Sequence, residues 1–310
     1  MNLRFDLRSL QIFVSVAEAR SITKAADREN IAASAVSKRI VDLEEAVGAP
    51  LLSRQPRGVE VTPAGQAMLL HARGILRAID RMSGDLSFYA DGVRGTVRLL
   101  VNKSAIVQFL PEDLSSFVDR YPEIRVEVRE ANSPAILRGV YDGGADLGVY
   151  TFGGPHEDEL EVETYRRDRL VAIVREGHAL AEAKSVRFTE MLDYSLVGLA
   201  PGSAWHAMMT EMAVAAGRGI DLAYEVNSFD AVCRMVSAGL GVAIGPDGML
   251  HAMAPNNLVE LPLDEPWAMR RIKICVRDRA ALSAPARLMF EHLTARSATE
   301  PDPEAPADPS

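Results

Sequence analysis

The sequence predicts an α+β multidomain chain: a small N-terminal helical domain, one long connecting helix and a C-terminal α/β region of two subdomains. Three observations support this prediction. Short amphipathic helices separated by a tight turn lie within residues 21–65, a long helical pattern starts at Thr62-Pro63, and strands alternate with helices from Gly95 onward. A chain of 310 residues has room for about two domains of ordinary size.

Three short helices are predicted within the first 50 residues. The first spans about 7–19 behind the capping residue Asp6, and its apolar side chains recur on one face. Ser21 is a good N-cap for the second, at about 22–29, and the third spans about 33–47. This layout lets one helix enter the major groove of DNA while its neighbour crosses the backbone. The polar face of the third helix carries Ser34, Ser37, Lys38 and Arg39.

A short β wing is predicted to follow the third helix. Pro56 and Gly58 form its turn, and Arg54 and Arg57 lie in it. Arginines in such a wing are placed to contact phosphate or the minor groove of DNA. The predicted winged helix-turn-helix domain covers residues 1–62.

A long helix of about 63–90 is predicted next, with Thr62 as its cap and Pro63 at its first position. Two apolar seams run along it and nothing nearby in sequence covers them, so we expect it to self-associate. The remaining predicted segments are the linker at 63–91, the α/β domain at 92–296 and a Pro-rich acidic tail at 297–310, which is expected to be disordered.

The α/β domain repeats one pattern in two halves, which predicts two parallel-sheet subdomains of about 92–165 plus 268–296, and 166–267. Ligands bind beyond the carboxyl ends of strands in such sheets. The predicted strands are 96–101, 124–130, 145–150, 169–175, 194–199, 221–226, 241–246, 258–262 and 271–276. The predicted helices are 110–122, 133–144, 188–193, 204–217 and 229–239.

Composition narrows the classes of function. The net charge is −9, yet residues 1–90 hold 12 Lys and Arg against 10 Asp and Glu, while the rest hold 22 against 33. The part expected on DNA is therefore the less acidic one. Charged residues near the N-terminus argue against a signal peptide, and no apolar run is long enough to span a membrane. Cys233 and Cys275 lie in apolar runs, so we expect buried thiols and a cytoplasmic protein.

Three segments of the sequence follow a known family pattern: LRSLQIFVSVAEARSITKAA, AVSKRIVDLEEAVGAPLLSR, and VTPAGQ at the start of the long helix. Over residues 6–296 the chain resembles the LysR-type transcriptional regulators. This resemblance implies a winged helix-turn-helix, a linker helix and a periplasmic-binding-protein-like effector-binding domain. It also implies a homodimer or homotetramer that binds a partly palindromic double-stranded DNA operator and a small, often anionic metabolite. RNA polymerase is a further expected partner.

One departure from the family concerns the start of the third helix. Many members carry Ser-Gln there, whereas this chain has Ala32 and Ala33, which cannot hydrogen-bond a base edge. Base readout is therefore expected to shift to later residues of the helix. For Lys38 and Arg39 the alternative is a solvated charged face, and for Ser21 it is a helix cap alone. The expected DNA contacts are Ser21, Thr23, Ser34, Ser37, Lys38, Arg39, Arg54 and Arg57.

The expected effector contacts lie where strands lead into helices. Free backbone N–H groups and the helix dipole favour an anion there. For Ser104 and Ser203 the alternative is an ordinary role as helix caps. For Lys103 the alternative is a side chain that points away from the ligand. The expected contacts are Asn102, Lys103, Ser104, Thr151, Phe152, Ser203, Asn227, Ser228 and Phe229.

The leading interpretation is a ligand-responsive DNA-binding regulator with a small anionic effector, in keeping with the resemblance. The alternative is a cytoplasmic small-molecule binding protein without a role in DNA regulation. An enzyme is disfavoured, because no nucleophile–base arrangement such as G-x-S-x-G occurs. The six histidines are scattered without HExxH, so neither a metal site nor a cofactor is expected.

Overall fold

The computed structural model describes residues 5–55, 58–87, 93–201, 203–247 and 257–295. Three helices pack together at the N-terminus: α1 (Leu7–Ala19), α2 (Ile22–Glu29) and α3 (Ala33–Val47). Their bounds are those predicted. The reason is local, since Asp6 accepts a hydrogen bond from the Ser9 amide, Ser21 accepts one from Lys24, and Gly48 ends α3 in the left-handed region.

The predicted wing is an antiparallel pair of strands, β1 (Leu52–Gln55) and β2 (Gly58–Val61). It leads into α4 (Pro63–Ser87), whose first turn is capped by Thr62 Oγ1 at 3.0 Å from the Gly65 amide. The prediction that α4 continues to about residue 90 extends beyond the described residues. The tail at 297–310 also lies outside them.

The C-terminal region alternates strands and helices as predicted. Its first half contains β3 (Gly95–Val101), α5 (Lys103–Gln108), α6 (Leu110–Arg120), β4 (Ile124–Glu130), α7 (Ser133–Tyr141) and β5 (Leu147–Tyr150). Its second half contains β6 (Glu161–Arg175), α8 (Phe188–Met191), β7 (Leu196–Leu199), α9 (Ala204–Ala215), β8 (Leu222–Val226), α10 (Phe229–Ser237), β9 (Ala243–Pro246), β10 (Leu258–Pro262), β11 (Met269–Val276) and α11 (Ala284–Ala295).

Two lobes are joined by β6 and β11. The strands are ordered β10-β6-β11-β5-β3-β4, and β9 pairs with β6, while β7 and β8 form a separate pair. The predicted parallel pairing is found for β3 with β4 and β5 and for β7 with β8, but β6 pairs antiparallel with β9, β10 and β11. We call the part around β3, β4 and β5 the first lobe, and the part around β7 to β10 the second lobe. Each lobe has its own apolar core. The predicted residue limits of the subdomains stay a prediction.

Strand β6 begins eight residues before its predicted start at 169. Its early residues, EVETYRRD, are mostly charged and show no apolar alternation. They form a strand because they pair with β11 in antiparallel register, with Asp168 opposite Arg270. Arg166 and Asp168 are buried there because oppositely charged partners neutralise them.

Two further differences concern helices. A capping role was the alternative for Ser104, but α5 begins at Lys103 and its cap is Asn102. The sequence reasoning assigned no helix to 284–295, where α11 returns to the first lobe and buries Met289 and Phe290. Among the described residues, no helix is long and apolar enough to cross a membrane.

Candidate functional site

One face of α3 is free of packing contacts. Val36 and Ile40 lie on its other side, in the core of the N-terminal domain. The side chains of Ser34 and Lys38 are exposed on the free face, one turn apart, and Ser37 beside them is half-buried. The start of α3 also lacks a side-chain cap, since Ala32 has none to offer. Short hydroxyls and one cation thus project from a helix that a groove could accommodate.

Arg39 is less free than the sequence suggested. Its Nη1 lies 3.4 Å from Asp6 Oδ1 and donates to Ser9 Oγ at 3.2 Å, which ties α3 to the start of α1. The two hydrogen bonds from Ser9 hold the pKa of the Asp6 carboxyl below its usual value, and the Arg39 charge adds to this. Arg39 therefore positions the helix and still presents part of its guanidinium to solvent.

Ser21 and Thr23 lie at the start of α2. Ser21 Oγ accepts from the Lys24 amide at 3.3 Å, as a cap does, and Thr23 is exposed on the first turn. Arg54 lies in β1 opposite Val59, although the structure does not describe its side chain. Arg57 lies outside the described residues.

Hydrogen bonds donated by backbone amides in and beside the wing hold it against the helices. Glu44 Oε1 accepts from the amides of Leu51 and Leu52 at 2.8 and 3.0 Å, and the Val59 amide donates to the Arg20 carbonyl at 3.0 Å. At Gly58 the backbone has φ +133°, and a Cβ there would overlap the same Arg20 carbonyl oxygen. Glycine is therefore needed to seat the wing on the end of α1.

In the first lobe, the predicted effector residues lie at the carboxyl ends of parallel strands. Asn102 caps α5 through Ala105, and its Nδ2 donates to Thr151 Oγ1 at 2.6 Å. Both side chains are buried and satisfy each other. Lys103 and Ser104 are half-buried in the first turn of α5. The half-buried Phe152 follows β5, and its amide donates to Ser133 Oγ at 3.3 Å.

In the second lobe, the predicted residues lie at two neighbouring helix starts. Ser203 caps α9 and Ser228 caps α10, while Asn227 is exposed before that cap. Phe229 is buried, and its ring meets the ring of Trp205 edge-on with centroids 5.0 Å apart. The structure thus brings the starts of α9 and α10 together, whereas Asn102 and Thr151 pair within the first lobe.

The strands that join the lobes carry a buried charge pair that sequence reasoning missed. Arg270 on β11 donates from Nε to Asp168 Oδ1 at 2.9 Å and from Nη2 to Asp168 Oδ2, and Gln108 Nε2 donates to Asp168 Oδ2 at 3.2 Å. The Arg270 guanidinium lies 5.3 Å from the centroid of the Trp205 ring. The available signal was the Arg pair at 270–271 near the start of the strand MRRIKICV.

Two buried polar atoms of this cluster make no hydrogen bond to the described part of the protein. Across the described chain, neither Arg270 Nη1 nor Gln108 Oε1 has a protein hydrogen-bond partner, although both are buried. An unpaired buried donor on a cation is unfavourable, so this place favours an incoming acceptor. The starts of α9 and α10 lie beside it and add partial positive charge.

Comparison with known proteins places both regions in one family. Residues 7–66 match the family model described as bacterial regulatory helix-turn-helix protein, lysR family. Residues 90–298 match the model described as LysR substrate binding domain, which covers well over half of the chain. The chain belongs to the LysR family.

Individual relatives of this LysR-family protein agree in overall organisation. It is 27% identical over 286 residues to the transcriptional dual regulator GltC of Bacillus subtilis, covering 92% of this chain and 95% of GltC. It is 30% identical over 244 residues to the regulator AlsR of the same organism, covering 78% and 80%. The crystal structure of full-length BenM superposes with a TM-score of 0.60 at 27% identity, covering 97% of this chain and 100% of BenM.

The protein is thus a LysR-type transcriptional regulator with a helix-turn-helix DNA-binding domain and an effector-binding domain. Its curated relatives are regulators of transcription and not enzymes. The N-terminal domain and wing described above form the helix-turn-helix region, and the two lobes form the effector-binding region.

Proposed function

We propose that this LysR-type regulator binds a partly palindromic operator as a dimer or tetramer and senses a small anionic metabolite between its two lobes. The carboxyl group of a small acid is the favoured anion. The observation that carries the sensing proposal is the buried Arg270, whose Nη1 has no protein acceptor in the described part of the chain. We also propose that the protein is cytoplasmic and that RNA polymerase is one of its partners.

Operator binding is proposed to use the exposed face of α3. Ser34, Ser37 and Lys38 would reach base edges or phosphates, and Arg39 would add its free guanidinium edge. Ser21 and Thr23 at the start of α2, with Arg54 and Arg57 of the wing, would contact the DNA backbone on either side. The exposed Ala32 and Ala33 could offer a base only methyl contacts, so this operator is expected to differ from those read through Ser-Gln.

Effector binding is proposed to centre on Arg270. A carboxylate there would accept from Nη1, while the amide starts of α9 and α10, capped by Ser203 and Ser228, would stabilise its charge. Asn227 and Phe229 would line the second-lobe side. Residues of the first lobe would close over the ligand, namely Asn102, Lys103, Ser104, Thr151 and Phe152.

Signal transfer is proposed to follow from the position of the site. Arg270 and Asp168 lie on the two strands that connect the lobes, so a bound anion would redistribute the Asp168–Arg270–Gln108 contacts and change lobe closure. The first lobe also contacts α4, through which the motion would alter the spacing of paired DNA-binding domains.

The DNA half is tested by gel-shift titration with DNA from beside the regulator's own gene, at several salt concentrations. Log affinity should fall linearly with log salt, because phosphate contacts release counterions. Lys38→Ala should weaken specific binding by about 1–3 kcal/mol, whereas Lys184→Ala, exposed in the second lobe, should leave binding unchanged. Absence of a retarded complex would favour the small-molecule binding protein without a DNA role.

The effector half is tested by thermal shift of the full-length protein with small mono- and dicarboxylates such as succinate. A ligand at 100 times its dissociation constant should stabilise the protein by about 2.7 kcal/mol. The double variant Asp168→Asn/Arg270→Gln keeps the pair neutral and should fold but lose this shift. Arg218→Gln, an exposed arginine of the second lobe, is the control. An unchanged shift in the double variant would place the anion elsewhere.

A further inference from the structure

A cavity of about 320 Å³ lies where the N-terminal domain and α4 meet the first lobe. Helices α1, α2 and α4 form one wall, and β3, β4 and the turn after α7 form the other. The cavity contains none of the residues proposed above for the effector. Six arginines line it: Arg8, Arg28, Arg73, Arg77, Arg98 and Arg129. We call it the arginine cavity.

Positive charge in the arginine cavity exceeds negative charge. Only two carboxylates, Glu18 and Glu29, are among its described lining residues. Glu18 is shared by Arg28 at 2.8 Å and Arg73 at 3.4 Å, and Glu29 pairs with Arg8 at 2.9 Å. These two carboxylates are therefore already engaged, while the wall formed by the first lobe adds two more guanidinium groups.

Behind the wall, Asp146 offsets part of this excess. Its carboxylate accepts from the Arg98 amide at 2.7 Å, and its charge also favours the cationic form of Arg77. Arg277 adds a further positive charge beside Arg77. Glu127 is a further carboxylate near Arg28, Arg98 and Arg129. Counting the six lining arginines against Glu18, Glu29, Glu127 and Asp146 still leaves an excess of cations.

Arg77 is the arginine on which the excess of positive charge acts most directly. Burial lowers the pKa of its guanidinium, and the charges of Arg277, Arg73 and Arg98 lower it further. The group packs on Gly143, whose φ is +68° and where a Cβ would overlap Nη1. Over the described ranges, Arg77 Nη1 and Arg73 Nε have no hydrogen-bond acceptor in the protein. Crowded cations with unpaired donors are unfavourable until an anion joins them.

We propose that the arginine cavity is a second ligand site, which binds a small polyanion bearing phosphate or pyrophosphate, with Arg77 and Arg129 holding it from opposite walls. The planar guanidinium fork matches phosphate oxygens in pairs, and the cavity volume suits a small ligand. Because Arg77 lies on α4 and Arg129 on β4, the ligand would link the linker helix to the first lobe. This inference goes beyond the proposed function.

Duplex DNA is the other polyanion that an arginine-rich surface could bind. The shape of the site favours the small ligand, because its arginines line a concave space enclosed between two domains. Phosphates of a duplex lie on a convex surface and reach exposed helices such as α3 more readily. If the ligand is a small polyanion, substitution of Arg77 or Arg129 should weaken pyrophosphate binding. If the ligand is duplex DNA, the same substitutions should weaken DNA binding instead.

The test is isothermal titration of inorganic pyrophosphate into the full-length protein at low ionic strength. Arg129→Gln and Arg77→Gln should each weaken binding about tenfold or more, because each removes charge-assisted hydrogen bonds. Arg125→Gln is the matched control, since Arg125 lies on the same strand, is highly exposed and does not line the cavity. Binding to this variant should stay within about twofold of the unaltered protein.

Three results would overturn the proposal. The first is that the unaltered protein does not bind pyrophosphate at millimolar concentration. The second is that Arg125→Gln weakens pyrophosphate binding as much as Arg77→Gln and Arg129→Gln do. The third is that Arg77→Gln and Arg129→Gln weaken DNA binding but leave pyrophosphate binding intact. Arg77 is partly buried, so thermal melting must show that its variant folds; Arg129 is exposed, and its variant tests the site without that risk. The variant Asp168→Asn/Arg270→Gln should still bind pyrophosphate, which separates this site from the proposed effector site.

Discussion

Arg39 of the N-terminal domain has a structural contact besides its proposed contact with DNA. The sequence left DNA contact and a solvated charged face as its alternatives, but the side chain bonds to Asp6 and Ser9 at the start of α1. The placement of α3 therefore depends on a residue that we propose contacts DNA. Substitution of Arg39 would change both the proposed contact and the placement of α3, whereas substitution of the exposed Lys38 would test the proposed contact alone.

Asp6 should make the stability of the N-terminal domain depend on pH. Hydrogen bonds from Ser9 lower its pKa in the folded protein relative to an ordinary value of about 3.9. Because the folded pKa is the lower one, the contribution is present above about pH 4 and is lost as pH falls through the folded pKa. Asp6→Asn should reduce stability at pH 6 and make no difference near pH 2, as measured by urea unfolding. A difference that grows on acidification would contradict this.

The buried ion pair of Asp113 and Arg166 should matter far more than an exposed one. Arg166 Nη2 lies 2.7 Å from Asp113 Oδ2, and Tyr165 donates to the same oxygen at 2.5 Å. Arg166→Met leaves a buried carboxylate uncompensated and should cost about 3–5 kcal/mol. Chemical denaturation measures this loss.

The control for that experiment is the pair of Arg218 and Asp193. Their side chains are 44% and 66% exposed at a separation of 3.0 Å. Arg218→Met should change stability by less than about 1 kcal/mol, since solvent screens exposed pairs. Equal losses in the two variants would mean that burial does not determine the strength of these pairs.

At the scale of secondary structure, α3 is the one helix of the N-terminal trio that starts without a side-chain cap. Ala32 occupies the cap position in extended conformation, where Ser, Asp or Asn would bond to the amides of the first turn. Ala32→Ser should therefore stabilise the protein by about 1 kcal/mol in urea unfolding. Ala33→Ser, one position into the helix, should give no gain. A gain at both positions would indicate a cause other than capping.

Strand β6 shows how pairing can override local pattern. Its first half is charged and was not predicted as a strand, but β11 supplies a complementary edge along its length. Residues 169–175 were recognised because they are apolar and enter the core of the second lobe. Strand formation thus depends on partners as well as on side-chain type.

At the scale of the whole molecule, α4 leaves apolar residues unburied. Ile75, Met82 and Leu86 are 42%, 55% and 60% exposed. Such surface on a long helix is stable in water when a second helix covers it. We therefore predict that Met82→Glu/Leu86→Glu shifts the protein to a smaller species in light scattering at micromolar concentration. Val214→Glu, at a position 67% exposed on α9, is the control and should not.

Local structure and family membership could be predicted from the order of the residues. Caps, glycine stops and apolar spacing act within a few residues, so the bounds of α1, α2 and α3 and the alternation of strands and helices could be predicted from them. The charged face of α3 followed directly from that periodicity.

Which distant charges meet depends on the three-dimensional packing of the chain. Asp168 and Arg270 lie 102 residues apart in sequence, and Asp113 and Arg166 lie 53 apart. The arginine cavity likewise collects residues from two domains. A charged residue is identical in sequence whether it faces solvent or a buried partner, because its burial depends on how whole elements pack. The proposed effector anchor and the proposed phosphate site both became visible only when that packing was known.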